Sequence, residues 1–257
     1  MSSQQQQQQQ QPTHSPSALL QALLSTIETR IVPLTARGVS SGSKVFGAAI
    51  LSKADLTPLT VASNNESVSP LLHGEVNCIQ EFFAQTSFPP PRSSSSSGEA
   101  GEDGGRPSPK SCFFLATHEP CSLCLSALAW SGFDEVFYLF AHEDSRDLFA
   151  IPYDIQILEE VFRVPPPSSS SSSQPGPAHE KTGSEVAPPP PPQPLYNRRN
   201  KFFTVRSLAE LVGEIADLAE RARWEYEMGR VRDLYAALSE QYQQGKRDGV
   251  GSASFWK

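Results

Sequence analysis

The chain has 257 residues and a formal net charge of -7, an acidic balance that argues against broad electrostatic capture of nucleic acid. Its four cysteines are too few for a disulfide framework, and no apolar run reaches the roughly 18 residues that cross a membrane. The N-terminus also lacks the charged and apolar parts of a signal peptide, so we expect a soluble protein without membrane contact, in the cytoplasm, with the nucleus left open.

Biased composition divides the sequence into segments. Polyglutamine, serine and proline tracts carry too few apolar residues to offset the entropy of ordering the chain, so we expect them to be disordered or flexible. The predicted segments are a polyglutamine tail at 1–16, one globular domain at 17–164 with a low-complexity insertion at about 88–110, a Pro/Ser-rich linker at 165–195, a helical C-terminal extension at 196–244 and a disordered tail at 245–257.

Hydrophobic periodicity predicts the elements of the domain in chain order. Residues 17–31 have apolar residues at helical spacing with Ser17 as the cap, and residues 45–51 and 59–62 form a predicted antiparallel hairpin. There follow a helix at 73–84, a strand at 112–117, a helix at 121–130, a strand at 135–140 and a helix at 153–162. Strand, helix and strand in succession predict parallel pairing covered by helices. The extension predicts two amphipathic helices that meet near Gly229.

The motifs His-Gly-Glu at 73–75 and Pro-Cys-x-x-Cys at 120–124 supply one imidazole, one carboxylate and two thiolates. Structural zinc takes four protein ligands, whereas catalytic zinc takes three and leaves the fourth position to water, which becomes a nucleophile near neutral pH. His73, Cys121 and Cys124 make three ligands, so an open, catalytic site is the simpler interpretation. Glu75 follows the histidine by two residues and can face the open side of the metal as a proton shuttle.

The cysteine pair taken alone allows another interpretation. A Cys-x-x-Cys pair that opens a helix after a strand also occurs in thioredoxin-like redox proteins. The other two cysteines, Cys78 and Cys112, fit small buried apolar residues better than metal ligands. The zinc interpretation therefore depends on the combination of the pair with His73 and Glu75.

His-x-Glu followed by Pro-Cys-x-x-Cys is the signature of zinc deaminases that act on nucleobases. On these residues the sequence resembles the cytidine deaminase-like superfamily, near its cytosine, guanine and tRNA adenosine deaminase branches, over roughly residues 45–162 with an interruption after residue 88. The resemblance implies a three-layer α/β/α fold with a mixed sheet. It also implies Zn²⁺ as the cofactor, bound by His73, Cys121 and Cys124, with Glu75 as the general acid and base.

Asn64 and Asn65 directly follow the second predicted strand. Asparagine is common in turns because its side chain bonds nearby backbone, which alone would explain both residues. The family, however, has an asparagine near this strand end against the substrate, so the resemblance implies that Asn64 or Asn65 contacts substrate. The run from Glu143 to Glu160 resembles the purine-acting members, guanine deaminase especially, in which this part closes the pocket.

The activity implied by the resemblance is hydrolytic removal of an exocyclic amino group from a nucleobase. A free base or nucleoside is the first predicted substrate, because the chain is acidic. The alternative is tRNA adenosine deamination, alone or as one subunit of a pair, with a basic cluster of Arg198, Arg199 and Lys201 holding RNA. The same cluster also fits a solvated loop before a helix. An alternative of another class is a non-catalytic partner protein with a retained zinc site, and assembly into a homo- or hetero-oligomer is left open.

Overall fold

A computed structural model describes residues 14–85, 105–163 and 194–250 of the chain. Most of the predicted polyglutamine tail, the low-complexity insertion and the linker lies outside these residues, as does the tail from residue 251 onward. The predictions of disorder for those segments therefore stay predictions.

The described residues form a mixed five-stranded sheet. Its strands are β1 (Gly47–Ser52), β2 (Pro58–Ser63), β3 (Cys112–His118), β4 (Glu135–Phe140) and β5 (Thr204–Ser207), in the order β2-β1-β3-β4-β5. β1 pairs antiparallel with both β2 and β3, whereas β3, β4 and β5 run parallel. The hairpin and the parallel pairing of the two strands around the cysteine helix are thus confirmed.

The first helical region is longer than the sequence predicted. It consists of α1 (Pro16–Thr26), a π-helical turn (Ile27–Ile31) and α2 (Val32–Val39). The predicted cap at Ser17 is wrong: Ser15 Oγ accepts a hydrogen bond from the Ala18 N–H at 3.2 Å, and Pro16 takes the first helical position, where its missing N–H costs little. The predicted end at residue 31 is also wrong, because Pro33 is accommodated at the start of α2, directly after the π-helical turn.

Helices cover both faces of the sheet. The remaining helices are α3 (Gly74–Ala84), α4 (Ser122–Ser131), α5 (His142–Asp147), α6 (Tyr153–Ile157) with a π-helical turn (Leu158–Phe162), α7 (Leu208–Gly213) and α8 (Leu218–Arg247). α3 and α4 pack on one face, and α1, α2, α7 and α8 pack on the other. The predicted three-layer α/β/α architecture is confirmed. α8 has 30 residues, yet neither it nor any other helix in the described residues is long and apolar enough to cross a membrane.

Alternation along the strands divides the core into two layers. In β3, Phe114 and Ala116 join the cluster under α3 and α4, whereas Phe113 and Leu115 join the cluster under α1 and α8. Successive side chains of a strand point to opposite faces, so a central strand that is apolar throughout must be covered on both sides. β3 is buried at every position, which fixes it as the centre of the sheet beside the candidate site.

The C-terminal region is helical, as predicted, and it also supplies β5, which the sequence analysis did not predict. Its helical part differs in detail, because α8 continues through Gly229 instead of dividing into two helices there. A glycine inside a helix costs only about 1 kcal/mol relative to alanine. Trp224, Val231 and Tyr235 bury one side of α8 in the core, and this burial outweighs that cost.

Candidate metal centre and active site

Three donor atoms from distant parts of the chain form a nearly equilateral triangle. Cys121 Sγ and Cys124 Sγ lie 3.6 Å apart, and His73 Nδ1 lies 3.5 Å from the first sulfur and 3.7 Å from the second. Ideal tetrahedral zinc bonds would place two sulfurs about 3.8 Å apart and a sulfur and a nitrogen about 3.6 Å apart. The donor types and their spacing therefore fit a zinc ion.

The N-termini of two helices bring these donors together. His73 directly precedes α3, and Cys121 directly precedes α4, whose first turn carries Cys124. Free N–H groups and the helix dipole favour a thiolate at such a position. A hydrogen bond between the two sulfurs, together with the hydrogen bond and charge of His73, holds the pKa of Cys121 well below its ordinary value despite burial. The site is thus suited to a cation.

Gly74 allows α3 to approach the sheet closely. A Cβ atom at this position would lie 3.0 Å from both the Cα of Gly47 and the carbonyl oxygen of Phe46. That distance is too short for an ordinary contact with backbone atoms. The glycine between His73 and Glu75 is therefore needed to seat the N-terminus of α3 against β1.

Glu75 is buried beside the donor triangle. Its side chain is in the first turn of α3, and the residue is only 5% exposed. Burial, reinforced by the negative charge of Cys121, raises the pKa of the Glu75 carboxyl to about 7, although His73 and a hydrogen bond from Cys124 act in the opposite direction. A carboxyl group with a pKa near the working pH can both accept and return a proton.

The two predicted substrate contacts have different surroundings. Asn64 is buried, and its Oδ1 accepts a hydrogen bond of 2.6 Å from the N–H of Gly74 at the start of α3. Its Nδ2 is also buried and has no hydrogen-bond partner among the residues that the structure describes. Asn65 is half-buried, and its Oδ1 accepts a hydrogen bond from the Ser67 hydroxyl within the following loop. The side chain of Asn64 is therefore bonded to the N-terminus of α3, and the side chain of Asn65 is bonded within a local turn.

A second carboxyl group near the site was not predicted. Burial raises the pKa of Asp154 in α6 to about 7, and the charges of Cys121 and Glu75 reinforce the shift while His73 opposes it. Asp154 is therefore within electrostatic range of the donor triangle. The only signal in the sequence was its position within the run from Glu143 to Glu160, which resembles the part that closes the pocket in purine-acting relatives.

The other singled-out residues lie away from the donor triangle. Cys78 and Cys112 are free and buried in the layer under α3 and α4, as predicted. In the basic cluster, Arg198 Nη2 forms an ion pair of 2.8 Å with Glu119. The ammonium of Lys201 lies 4.8 Å from the ring centre of Phe202. The cluster is thus a loop before β5 in which one arginine is part of the fold.

Residues 29–140 match the family model of the cytidine and deoxycytidylate deaminase zinc-binding region. This segment belongs to the cytidine deaminase-like superfamily. The family predicted from the two motifs is therefore confirmed. Zinc, the predicted cofactor, is the metal of this family model, and the three donor atoms, all within 4.8 Å of one another, can hold it.

Comparison of the deaminase-like domain with known proteins gives distant matches. No curated protein matches the chain. Guanine deaminase from Bacillus subtilis is 24% identical over 63% of this chain and 87% of its own, with a TM-score of 0.39. Guanine deaminase from Nitrosomonas europaea is 13% identical over 91% and 87%, with a TM-score of 0.38. A structure from work on A-to-I editing by tRNA:A34 deaminases is 16% identical over 43% and 72%, with a TM-score of 0.28.

Proposed function

We propose that this protein is a zinc-dependent hydrolytic deaminase that replaces an exocyclic amino group of a nucleobase with oxygen. The proposed ligands are His73, Cys121 and Cys124, and the proposed general acid and base is Glu75. The observation that carries the proposal is the buried Glu75 carboxyl, with a pKa of about 7, directly beside a triangle of three zinc-type donors. A metal site that served the fold alone would have no need for such a group.

The chemistry divides between the metal and the chain. When bound, zinc supplies Lewis-acid chemistry that makes water a nucleophile at neutral pH. The Glu75 carboxylate takes the first proton from water and delivers it to the ring nitrogen next to the amine-bearing carbon. It then takes the second proton from the hydroxyl that water leaves on that carbon and gives it to the amino group. The carbon–nitrogen bond breaks as the carbonyl forms, and ammonia leaves. Burial suits this role because it raises the pKa of the carboxyl and so favours the protonated form that carries the proton to the substrate.

The substrate is held by polar groups that the fold leaves available. Asn64 is the proposed substrate contact, since its Nδ2 is a buried donor without a partner among the described residues. A carbonyl oxygen or ring nitrogen of a base can accept this hydrogen bond, and an unpaired buried donor is otherwise unfavourable. Asn65 is a weaker candidate because its side chain is engaged by Ser67. Asp154 adds a second carboxyl group that can receive a hydrogen bond from a substrate amine.

A free base or nucleoside is the proposed substrate class. The chain is acidic overall, and Arg198, one of the three residues of its candidate RNA-binding cluster, is paired with Glu119. Its charge is therefore largely neutralised before any phosphate arrives, and proteins that grip nucleic acid depend on such charges. These observations favour a small substrate over tRNA. The intact Glu75 similarly favours an enzyme over a non-catalytic partner.

The decisive experiment measures ammonia release by the zinc-loaded protein against cytosine, cytidine, deoxycytidylate, guanine, adenine and adenosine. The Glu75→Gln variant should keep one zinc ion yet lose about 10² to 10⁴ in turnover, the usual contribution of a positioned proton-transfer group. Glu81→Gln is the matched control, because it makes the same change on the same helix at an exposed position. Turnover that survives in Glu75→Gln would remove Glu75 from its role, and silence of the wild type across the panel would refute the proposed substrate class.

A further inference from the structure

Three residues surround the carboxylate of Glu119, which is 2% exposed. We call Glu119, His142, Tyr196 and Arg198 the Glu119 cluster. Glu119 Oε1 accepts hydrogen bonds from the Tyr196 hydroxyl at 2.8 Å and from Arg198 Nε at 3.0 Å. Glu119 Oε2 accepts a hydrogen bond from the backbone N–H of His142 at 3.2 Å. Both oxygens of this buried carboxylate are therefore satisfied.

The cluster joins segments that are far apart in sequence. Tyr196 and Arg198 follow Glu119 by 77 and 79 residues and belong to the C-terminal part of the chain. That part begins beyond the last residue that matches the family model, residue 140. Arg198 is held in place by more than its ion pair, because its guanidinium also lies 5.4 Å from the ring centre of Tyr138 in β4. The C-terminal segment thus contributes donors to the loop between β3 and α4.

Glu119 is coupled through the backbone to the metal site. It is separated from Cys121 by Pro120 alone, and proline restricts both its own backbone and that of the residue before it. The N–H of Glu119 donates a hydrogen bond of 2.7 Å to the carbonyl oxygen of Phe140, which fixes the same turn from the backbone side. Because this short segment has little freedom, a displacement of the Glu119 carboxylate would also displace the backbone of Cys121.

We propose that Tyr196 and Arg198 are positioning residues for Cys121, acting through Glu119. This inference rests on the proposed role of Cys121 as a zinc ligand. Without the two donors, Glu119 would be a buried carboxylate without its cation, and such a group moves toward water. This movement loosens the turn that orients the Cys121 thiolate. Burial and the charge of Glu119 raise the pKa of the Tyr196 hydroxyl above its ordinary value, so the hydroxyl stays a donor.

The two neighbouring arginines, Arg198 and Arg199, should differ in their effect on the metal site. The guanidinium of Arg198 pairs with Glu119, whereas Arg199 is bonded through its backbone N–H to the Asn197 side chain in the local turn. A general loss of positive charge in this loop would affect both positions equally. A positioning role predicts an effect at Arg198 only.

The test measures metal binding in the full-length protein, independently of turnover. Zinc affinity is determined by chelator competition, and the cobalt-substituted protein is examined by its visible and thiolate-to-metal absorption. Arg198→Met should weaken zinc binding by about tenfold, the lower end of the effect of groups that orient metal ligands, and should change the cobalt spectrum. Arg198→Lys should restore part of the affinity, because lysine keeps the charge but not the planar fork. Arg199→Met, the matched control, should bind zinc and cobalt as the wild type does.

The same measurements can also overturn the positioning role of Arg198 and Tyr196. Wild-type zinc affinity and an unchanged cobalt spectrum in Arg198→Met, with only a lower melting temperature, would reduce the cluster to a structural role and overturn the inference. If Arg198→Met does not fold, Tyr196→Phe decides in its place, since it removes a single hydroxyl donor and keeps the ring. A wild type that binds zinc but deaminates none of the tested bases would refute the proposed substrate class and leave this inference standing.

Discussion

The buried ion pair of Lys44 and Glu66 gives the sharpest prediction about stability. Lys44 Nζ lies 2.6 Å from Glu66 Oε1, and the two side chains are only 8% and 1% exposed. The second oxygen of Glu66 accepts a hydrogen bond of 3.0 Å from the backbone N–H of Lys44. Glu66 lies two residues after Asn64, so the pair anchors the loop that follows β2 to the chain before β1.

Lys44→Met removes the ammonium and leaves the Glu66 carboxylate in place. At this separation and an effective dielectric constant of 20, the attraction amounts to about 6 kcal/mol, much of which is offset by the desolvation of both charges. Removal of one partner from a buried pair typically costs about 3 to 5 kcal/mol, because the remaining charge has no counterpart. We expect a loss of that size for Lys44→Met. The double variant Lys44→Met/Glu66→Gln should recover a large part of it.

The assay is equilibrium unfolding in urea at pH 7.5, followed by circular dichroism. Arg230→Met is the matched control, because Arg230 pairs with Glu28 through two hydrogen bonds of 2.6 and 2.7 Å, and the two side chains are 39% and 36% exposed. Solvent screens such a pair, so its removal should cost far less. If Lys44→Met destabilised the protein no more than Arg230→Met, the argument from burial would be wrong.

Three further predictions follow from buried contacts. Gly74→Ala should weaken zinc binding in chelator competition, because its Cβ would lie 3.0 Å from backbone atoms at the start of β1, and a wild-type zinc affinity would contradict this. Gly229→Ala, with open space around the new Cβ, should instead raise the free energy of unfolding in urea by about 0.5 to 1 kcal/mol. Burial, with smaller contributions from Arg232 and His142, lowers the pKa of His118 well below its ordinary value. Its neutral form is therefore favoured in the fold, so the associated stability is present above the unfolded pKa of about 6.5 and is lost as the pH falls below it. Between pH 7.5 and 5.5 the wild type should lose about 1.4 kcal/mol more than His118→Phe, and equal losses in urea unfolding would show that His118 takes up its proton in the folded protein. Asn64→Ala should raise KM and also destabilise α3, because its Oδ1 bonds the N–H of Gly74, and an unchanged KM would remove Asn64 from substrate binding.

The metal site was predictable because each part of it has a local signature. Cys121 and Cys124 are three residues apart at the start of one helix, and His73 and Glu75 lie at the start of another. This arrangement allows only a few geometries for the four side chains. The sheet pairing followed from the same order of strands and helices. These features depend on short-range patterns, which a sequence displays directly.

The remaining features depend on long-range contacts. β5 has only four residues and is defined by the pairing of its backbone with β4, so no hydrophobic pattern predicts it. The charges of Glu75 and Cys121 act on Asp154, although these residues are about 30 to 80 positions away in sequence and come within electrostatic range only in the fold. The pairing of Arg198 with Glu119 is of the same kind, and it ties one residue of the candidate RNA-binding cluster to the fold. Patterns along the sequence cannot reveal such neighbours.

The central claim, hydrolytic deamination at the site of Glu75, is tested most directly by the fate of oxygen from water. The zinc-loaded protein is incubated with each base and nucleoside of the panel in H₂¹⁸O, and the products are examined by mass spectrometry. The account predicts that one substrate gains one ¹⁸O atom for each ammonia released, and that Glu75→Gln gives no labelled product. Ammonia release without incorporation of ¹⁸O, or labelled product from Glu75→Gln at the wild-type rate, would contradict it.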